Sequence, residues 1–93
     1  MSDVLDTLFA TVLDRQANPR PGSYTAQLLR AGEDQVLKKV GEEAMEVILA
    51  TKGQGNDRVI SEVADLFYHV LVLLAARGLT LAAVEDELVR RRR

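Results

Sequence analysis

Two pairs of acidic residues dominate the chemistry available to this chain: Glu43 with Glu46, and Glu62 with Asp65, each pair three residues apart within helical sequence. Residues at i and i+3 share a helix face, so two antiparallel helices can direct all four carboxylates into one gap. Clustered carboxylates beside a helical core repel one another and lose hydration, and an unpaired charge is not tolerated there. A hard divalent cation resolves the conflict. Mg2+ takes oxygen ligands in octahedral geometry, keeps several waters, and is usually shared between a few carboxylates and substrate phosphates, which points to phosphate chemistry. Taken singly, each acid reads as a solvated helix residue. Two pairs on consecutive helices, separated by one loop, are a stronger signal.

The elements that must position these groups are visible in the apolar spacing. Leu5, Leu8, Phe9, Val12 and Leu13 predict a first helix over residues 2–16, with Ser2 or Asp3 capping its first turn. Pro19, Pro21 and Gly22 break that pattern, and Ser23 then caps a short helix through Leu28 and Leu29 that Gly32 ends. Val36, Val40, Ala44, Val47 and Ile48 mark the core stripe of a third helix reaching about Lys52, where residues 53–56 stop it. Glu43 and Glu46 lie beside this stripe, and Lys39 one turn earlier. A fourth helix runs from about Asp57 to Arg77, with Glu62 and Asp65 near its N-terminal end, where the dipole favours anions. Gly78 terminates it, Thr80 caps a last helix, and Leu79 with Val84 has hydrophobic-staple spacing. No strand-period alternation or linker appears. The expectation is one all-α domain, residues 1–93, of four or five helices.

Residues 66–76 are apolar nearly all round except for Tyr68 and His69, and a helix apolar on every face is buried on every face. A chain of 93 residues has few elements to cover it. A homodimer is therefore expected. The absence of cysteine excludes disulfides, thiolate metal sites and cysteine nucleophiles, and His69 as the sole imidazole disfavours zinc. The first residues lack the basic and apolar segments of a signal peptide, and the apolar run over residues 70–76 is too short to span a bilayer, so a cytoplasmic protein is expected. The net charge of −2 conceals an asymmetry, because residues 90–93 are four of the twelve basic residues. The remaining body is strongly acidic and repels nucleic acid, so none is expected as a partner. The arginine run itself reads as a solvated helix end.

Other polar residues have a chemical and a structural reading side by side. Lys38 and Lys39 suit phosphate binding, or pair at i to i+4 with Glu42 and Glu43. Ser23 and Tyr24 follow a Pro/Gly loop and either face substrate or simply open a helix. His69, four residues after Asp65, can hydrogen-bond to it or act as a base, but among Tyr68, Val70 and Leu71 it reads best as a satisfied core or interface histidine. Asp57 and Arg58 read as cap and surface, Arg58 with a minor claim on phosphate.

The segments Gly22-Ser23-Tyr24-Thr25-Ala26-Gln27-Leu28-Leu29, Lys38-Lys39-Val40-Gly41-Glu42-Glu43-Ala44 and Ala64-Asp65-Leu66-Phe67-Tyr68-His69-Val70, with the ExxE and ExxD pairs, resemble the all-α nucleoside-triphosphate pyrophosphatases of MazG type. Within that superfamily they look like phosphoribosyl-ATP pyrophosphatase, over residues 5–89. The resemblance implies a helical bundle completed by dimerisation and Mg2+-dependent hydrolysis of 1-(5-phosphoribosyl)-ATP to 1-(5-phosphoribosyl)-AMP and pyrophosphate, the second step of histidine biosynthesis. It implies Glu43, Glu46, Glu62 and Asp65 as metal ligands, Glu42 or Glu43 as the catalytic base, and Lys38, Lys39, Tyr24 and Ser23 as substrate contacts. Some relatives in that family are fused to a cyclohydrolase, and because 93 residues leave no room for that domain the stand-alone form is expected. Two alternatives share part of the pattern: a general MazG-type triphosphate pyrophosphohydrolase, and a helical dimerisation module without catalysis.

Overall fold

Two glycines set the geometry of the molecule by ending helices abruptly. In the computed structural model, which describes residues 3–92, Gly32 with φ 106° separates α2 (Tyr24–Ala31) from α3 (Glu33–Gly53) with no intervening loop. Gly55, with φ 86°, lies between α3 and α4 (Asn56–Arg77), so the two longest helices form a tight antiparallel hairpin. Positive φ favours residues without a Cβ. The α3–α4 hairpin is the frame, α1 (Asp3–Ala17) packs on α4, and α2 bridges α1 and α3.

Local chemistry fixes the remaining boundaries. The expected cap at Ser2 lies outside the described residues; Asp3 and Asp6 occupy the first turn of α1, at its positive end. Ser23 caps α2 as expected, its Oγ accepting from the Ala26 amide at 3.1 Å. At the end of α4 the Gly78 and Leu79 amides donate to the Ala75 and Leu74 carbonyls, closing the helix around a left-handed glycine. Thr80 caps α5 (Leu81–Arg90) by accepting from the Ala83 amide. Asp57 is not a cap: the cap position of α4 is Gly55, and Asp57 sits in the first helical turn.

The core joins Phe9 and Val12 of α1, Leu28, Val36, then Leu71, Val72, Leu74 and Ala75 of α4, with Leu81 anchoring α5. The expected stripe on α3 is met only in part. Val36 is fully buried, Val40, Ala44 and Val47 are half-buried, and Ile48 is exposed although Ala50 beyond it is buried, because at 3.6 residues per turn Ile48 stands roughly 120° round the helix from Val36 while Val47 and Ala50 stay within about 40° of it. Leu13 of α1 is likewise partly exposed.

Nor is α4 buried on every face within one chain. Leu66, Val70 and Leu73 are half-buried and Phe67 is half exposed. The chain's accessible surface, 6394 Å², exceeds the roughly 5,400 Å² expected of a compact monomer of 10.3 kDa. Its radius of gyration, 14.1 Å, exceeds the corresponding value of about 12 Å. The chain is a flattened body, 39 × 34 × 23 Å, with apolar residues left open on one side. Although the run over residues 70–76 is short, α4 is long enough and contains an 18-residue stretch apolar enough, with mean hydropathy 1.8, to match a membrane span by length and composition. Glu62, Asp65 and His69 on that helix would be costly in lipid, and Glu62 and His69 are buried among neighbouring helices here, as in a core helix.

Candidate active site

The α3–α4 hairpin delivers the two acid pairs to one place. Glu43, Glu46, Glu62 and Asp65 all line an open cleft of about 720 Å³, together with Lys39, Gly41, Glu42, Met45 and Arg58. Within it, one carboxylate oxygen each from Glu43, Glu62 and Asp65 lies within 4.8 Å of the others. Glu46 lines the cleft but is not part of this closest group. Oxygens sharing an octahedral Mg2+ stand about 3 to 4.2 Å apart, given metal–oxygen distances of about 2.1 Å, so small side-chain movements would bring the triad to that spacing. The donor set is entirely oxygen. It fits a hard cation.

Electrostatics carry the mark of this crowding. Glu62 is 4 % exposed, and its carboxyl is raised above the usual range mainly by burial, with Asp65, Glu43 and Glu46 adding repulsion and Arg58 opposing them. Arg58 Nη2 sits 3.0 Å from Glu62 Oε1. On the other wall Lys39 Nζ lies 3.4 Å from Glu42 and 3.5 Å from Glu43. Burial acts to lower the Lys39 ammonium, but Tyr24, Glu42 and Glu43 together outweigh it and hold its pKa up. The sequence pairing of Lys38 with Glu42 is therefore replaced by a Lys39 bridge to both acids, and Lys38 is exposed and outside the cleft lining.

A second polar group adjoins the cleft. His69 is 5 % exposed, and its Nδ1 donates to the Asp65 main-chain carbonyl at 2.7 Å. In the neutral imidazole Nε2 is then an acceptor, and the Tyr24 hydroxyl, 2.9 Å away, donates to it. His69 is thus a satisfied, buried histidine that contacts the backbone of Asp65 rather than its carboxylate. Tyr68 stacks edge-on to it with ring centroids 4.9 Å apart and hydrogen-bonds Thr25. The Tyr24 phenol is pushed up chiefly by burial and further by Tyr68, Glu43 and Glu42, against the pull of Lys39. Ser23 is occupied as a helix cap beside this group.

Residues 5–92 match the phosphoribosyl-ATP pyrophosphohydrolase family. The chain belongs to that family. Its relatives include a phosphoribosyl-ATP pyrophosphatase of Methanocella arvoryzae, 47 % identical with both chains covered in full. Another, from Sulfurisphaera tokodaii, is 52 % identical over 97 % of this chain and 96 % of the relative. A histidine biosynthesis bifunctional protein of Caldanaerobacter subterraneus is 45 % identical over 96 % of this chain but 43 % of its own length. For a member of the phosphoribosyl-ATP pyrophosphohydrolase family, the cleft residue that sequence reasoning undervalued is Arg58. A signal for it existed: Arg58 precedes Glu62 by four residues, as Lys39 precedes Glu43, so the two helices carry the same cation-to-acid spacing.

Proposed function

We propose that this protein is a Mg2+-dependent phosphoribosyl-ATP diphosphatase, hydrolysing 1-(5-phosphoribosyl)-ATP to 1-(5-phosphoribosyl)-AMP and pyrophosphate in cytoplasmic histidine biosynthesis. The observation that carries the reading is the convergence of Glu43, Glu62 and Asp65 in the cleft of a chain that belongs to this family. The cleft volume lies within the range of ordinary ligand sites.

In this reading Glu43, Glu46, Glu62 and Asp65 hold Mg2+. Bound there, the ion would neutralise charge on the phosphate oxygens and acidify the attacking water. The chain's own groups do the rest. Glu42 lines the cleft outside the closest triad and is the better placed of the two candidate bases, Glu43 being one of the convergent carboxylates. Lys39 supplies positive charge at the wall that the polyphosphate must pass, with Lys38 outside the rim. Tyr24 and Ser23 lie outside the cleft lining, but Tyr24 is within electrostatic reach of Lys39, Glu42 and Glu43, and its half-exposed ring offers a surface to the nucleotide. Holding reactants in line accounts for much of the acceleration such a site can deliver.

The working form in this proposal is a homodimer. Leu5, Leu66, Phe67, Val70, Leu71, Leu74, Leu81 and Val84 line an apolar groove between α1, α4 and α5, and the surface excess of about 1,000 Å² per chain matches what one partner contributes to a standard interface.

Incubation of purified protein with phosphoribosyl-ATP and Mg2+ is the direct test. The expected products are phosphoribosyl-AMP and pyrophosphate, with activity lost in EDTA and restored by Mg2+. Equal or faster cleavage of ordinary nucleoside triphosphates would favour the general pyrophosphohydrolase, and no turnover of either class would overturn the reading.

A further inference from the structure

The most buried carboxylate of the cleft has a counter-charge that a metal would make redundant. Glu62 is almost wholly enclosed, and Arg58 reaches it at 3.0 Å from one turn earlier on α4. The Arg58 side chain is itself half exposed, with Nε 3.4 Å from Gln54 Oε1, and it lines the same cleft. An enclosed carboxylate with neighbouring acids needs a cation, and here the guanidinium is that cation. When a divalent ion engages Glu62 the roles conflict. The metal takes over the carboxylate charge, and the guanidinium faces a doubly charged cation nearby. Arg58, on a flexible stem at the cleft mouth, is the group free to move. A planar guanidinium released beside bound polyphosphate meets the ligand it binds best.

From this we infer that Arg58 exchanges partners during the reaction, from Glu62 in the metal-free protein to the substrate's terminal phosphates in the loaded one. It is a phosphate-binding residue that holds the departing pyrophosphate. The inference rests on the reading of Glu62 as a metal ligand, and the experiment separates the two.

Calorimetric titration of Mn2+ or Mg2+ alone into wild type, Arg58→Ala and Arg58→Lys comes first, then titration of inorganic pyrophosphate at saturating Mg2+. Arg58→Ala should bind metal as tightly as wild type or several-fold more tightly, because a competitor for Glu62 is gone. It should bind pyrophosphate about tenfold more weakly, the loss expected for one charge-assisted contact. Arg58→Lys should recover part of the pyrophosphate affinity, and KM for phosphoribosyl-ATP should follow the same order. Circular dichroism controls for folding. Unchanged pyrophosphate affinity in Arg58→Ala, or parallel weakening of metal and pyrophosphate, would overturn the exchange and leave Arg58 a prop for Glu62. Absence of saturable metal binding in wild type would instead sink the metal site itself, and the exchange with it.

Discussion

Helix α4 has two sides that lack something, and they lack opposite things. Toward α3 it presents Glu62 and Asp65 to a cleft crowded with like charge, where Arg58 and Lys39 are the cations in place. Toward α1 and α5 it presents Leu66, Phe67 and Val70 to a groove without a polar group. The first side is incomplete in charge and the second in apolar burial. A compact monomer would have spent residues correcting both. That neither is corrected within 10.3 kDa is the pattern expected if one side of the helix binds a ligand and the other associates, as proposed above.

The largest effect should come from the charged side. Glu43→Gln, Glu62→Gln and Asp65→Asn should each cut turnover by at least about 100-fold, since loss of the cation removes several kcal/mol of charge stabilisation. Glu46→Gln should fall less far, because Glu46 stands outside the closest triad. Steady-state assays across the four variants make the check, and near-wild-type rates in any two would show that the cleft is not the site.

On the apolar side, wild type should sediment as a dimer if the proposed association holds, and Phe67→Arg as a 10.3 kDa species. Phe67 is the better probe than Leu73, since Phe67 is half exposed whereas Leu73 packs against the core and its replacement would damage the protomer as well. Burying the open half of a phenylalanine contributes about 1 kcal/mol per chain, and an unpaired interfacial arginine reverses its sign. A wild-type monomer at micromolar concentration would remove the association face altogether.

The two sides were not equally legible in the sequence. All five helices followed from periodicity, caps and glycines, because those signals are local: Ser23, Gly32, Gly78 and Thr80 each act within a few residues of themselves. The acid pairs were legible for the same reason, since one short turn fixes how α3 lies on α4. Ile48 misled because a helical stripe records that a face is apolar, not what covers it. The Lys39–Glu43 pair was legible from its i to i+4 spacing, but the second branch of Lys39 to Glu42, in place of Lys38, and the Tyr24–His69 contact were not. The former depends on rotamers and the latter on a contact spanning 45 residues, which no local pattern encodes.

A smaller effect separates charge crowding from mere acidity. Glu62 has a raised folded value, so its ionised form is disfavoured by folding, and metal-free protein should lose stability as pH rises through that value. Glu62→Gln cannot ionise. In EDTA its melting temperature should therefore gain on wild type as pH rises above the ordinary carboxylate range and approach it below that range. A constant offset at all pH values would mean that the burial of Glu62 imposes no charge penalty.

The smallest effect belongs to the arginine tail, the one strongly basic segment of an acidic chain. Arg90 and Arg91 both engage Glu87, Arg91 Nε at 2.6 Å, and these contacts hold the Glu87 carboxyl below its usual value against its slight burial. The tail is thus turned back onto its own helix end, and none of its described residues lines the cleft. Removing residues 90–93 should leave kcat/KM within a few-fold. It should lower the melting temperature slightly at neutral pH and not at all in acid, because a depressed carboxylate contributes stability that vanishes as pH falls through its folded value. A large rise in KM with an unchanged melting curve would mean instead that the arginines leave Glu87 for the substrate, moving part of the phosphate site from α4 to the end of α5.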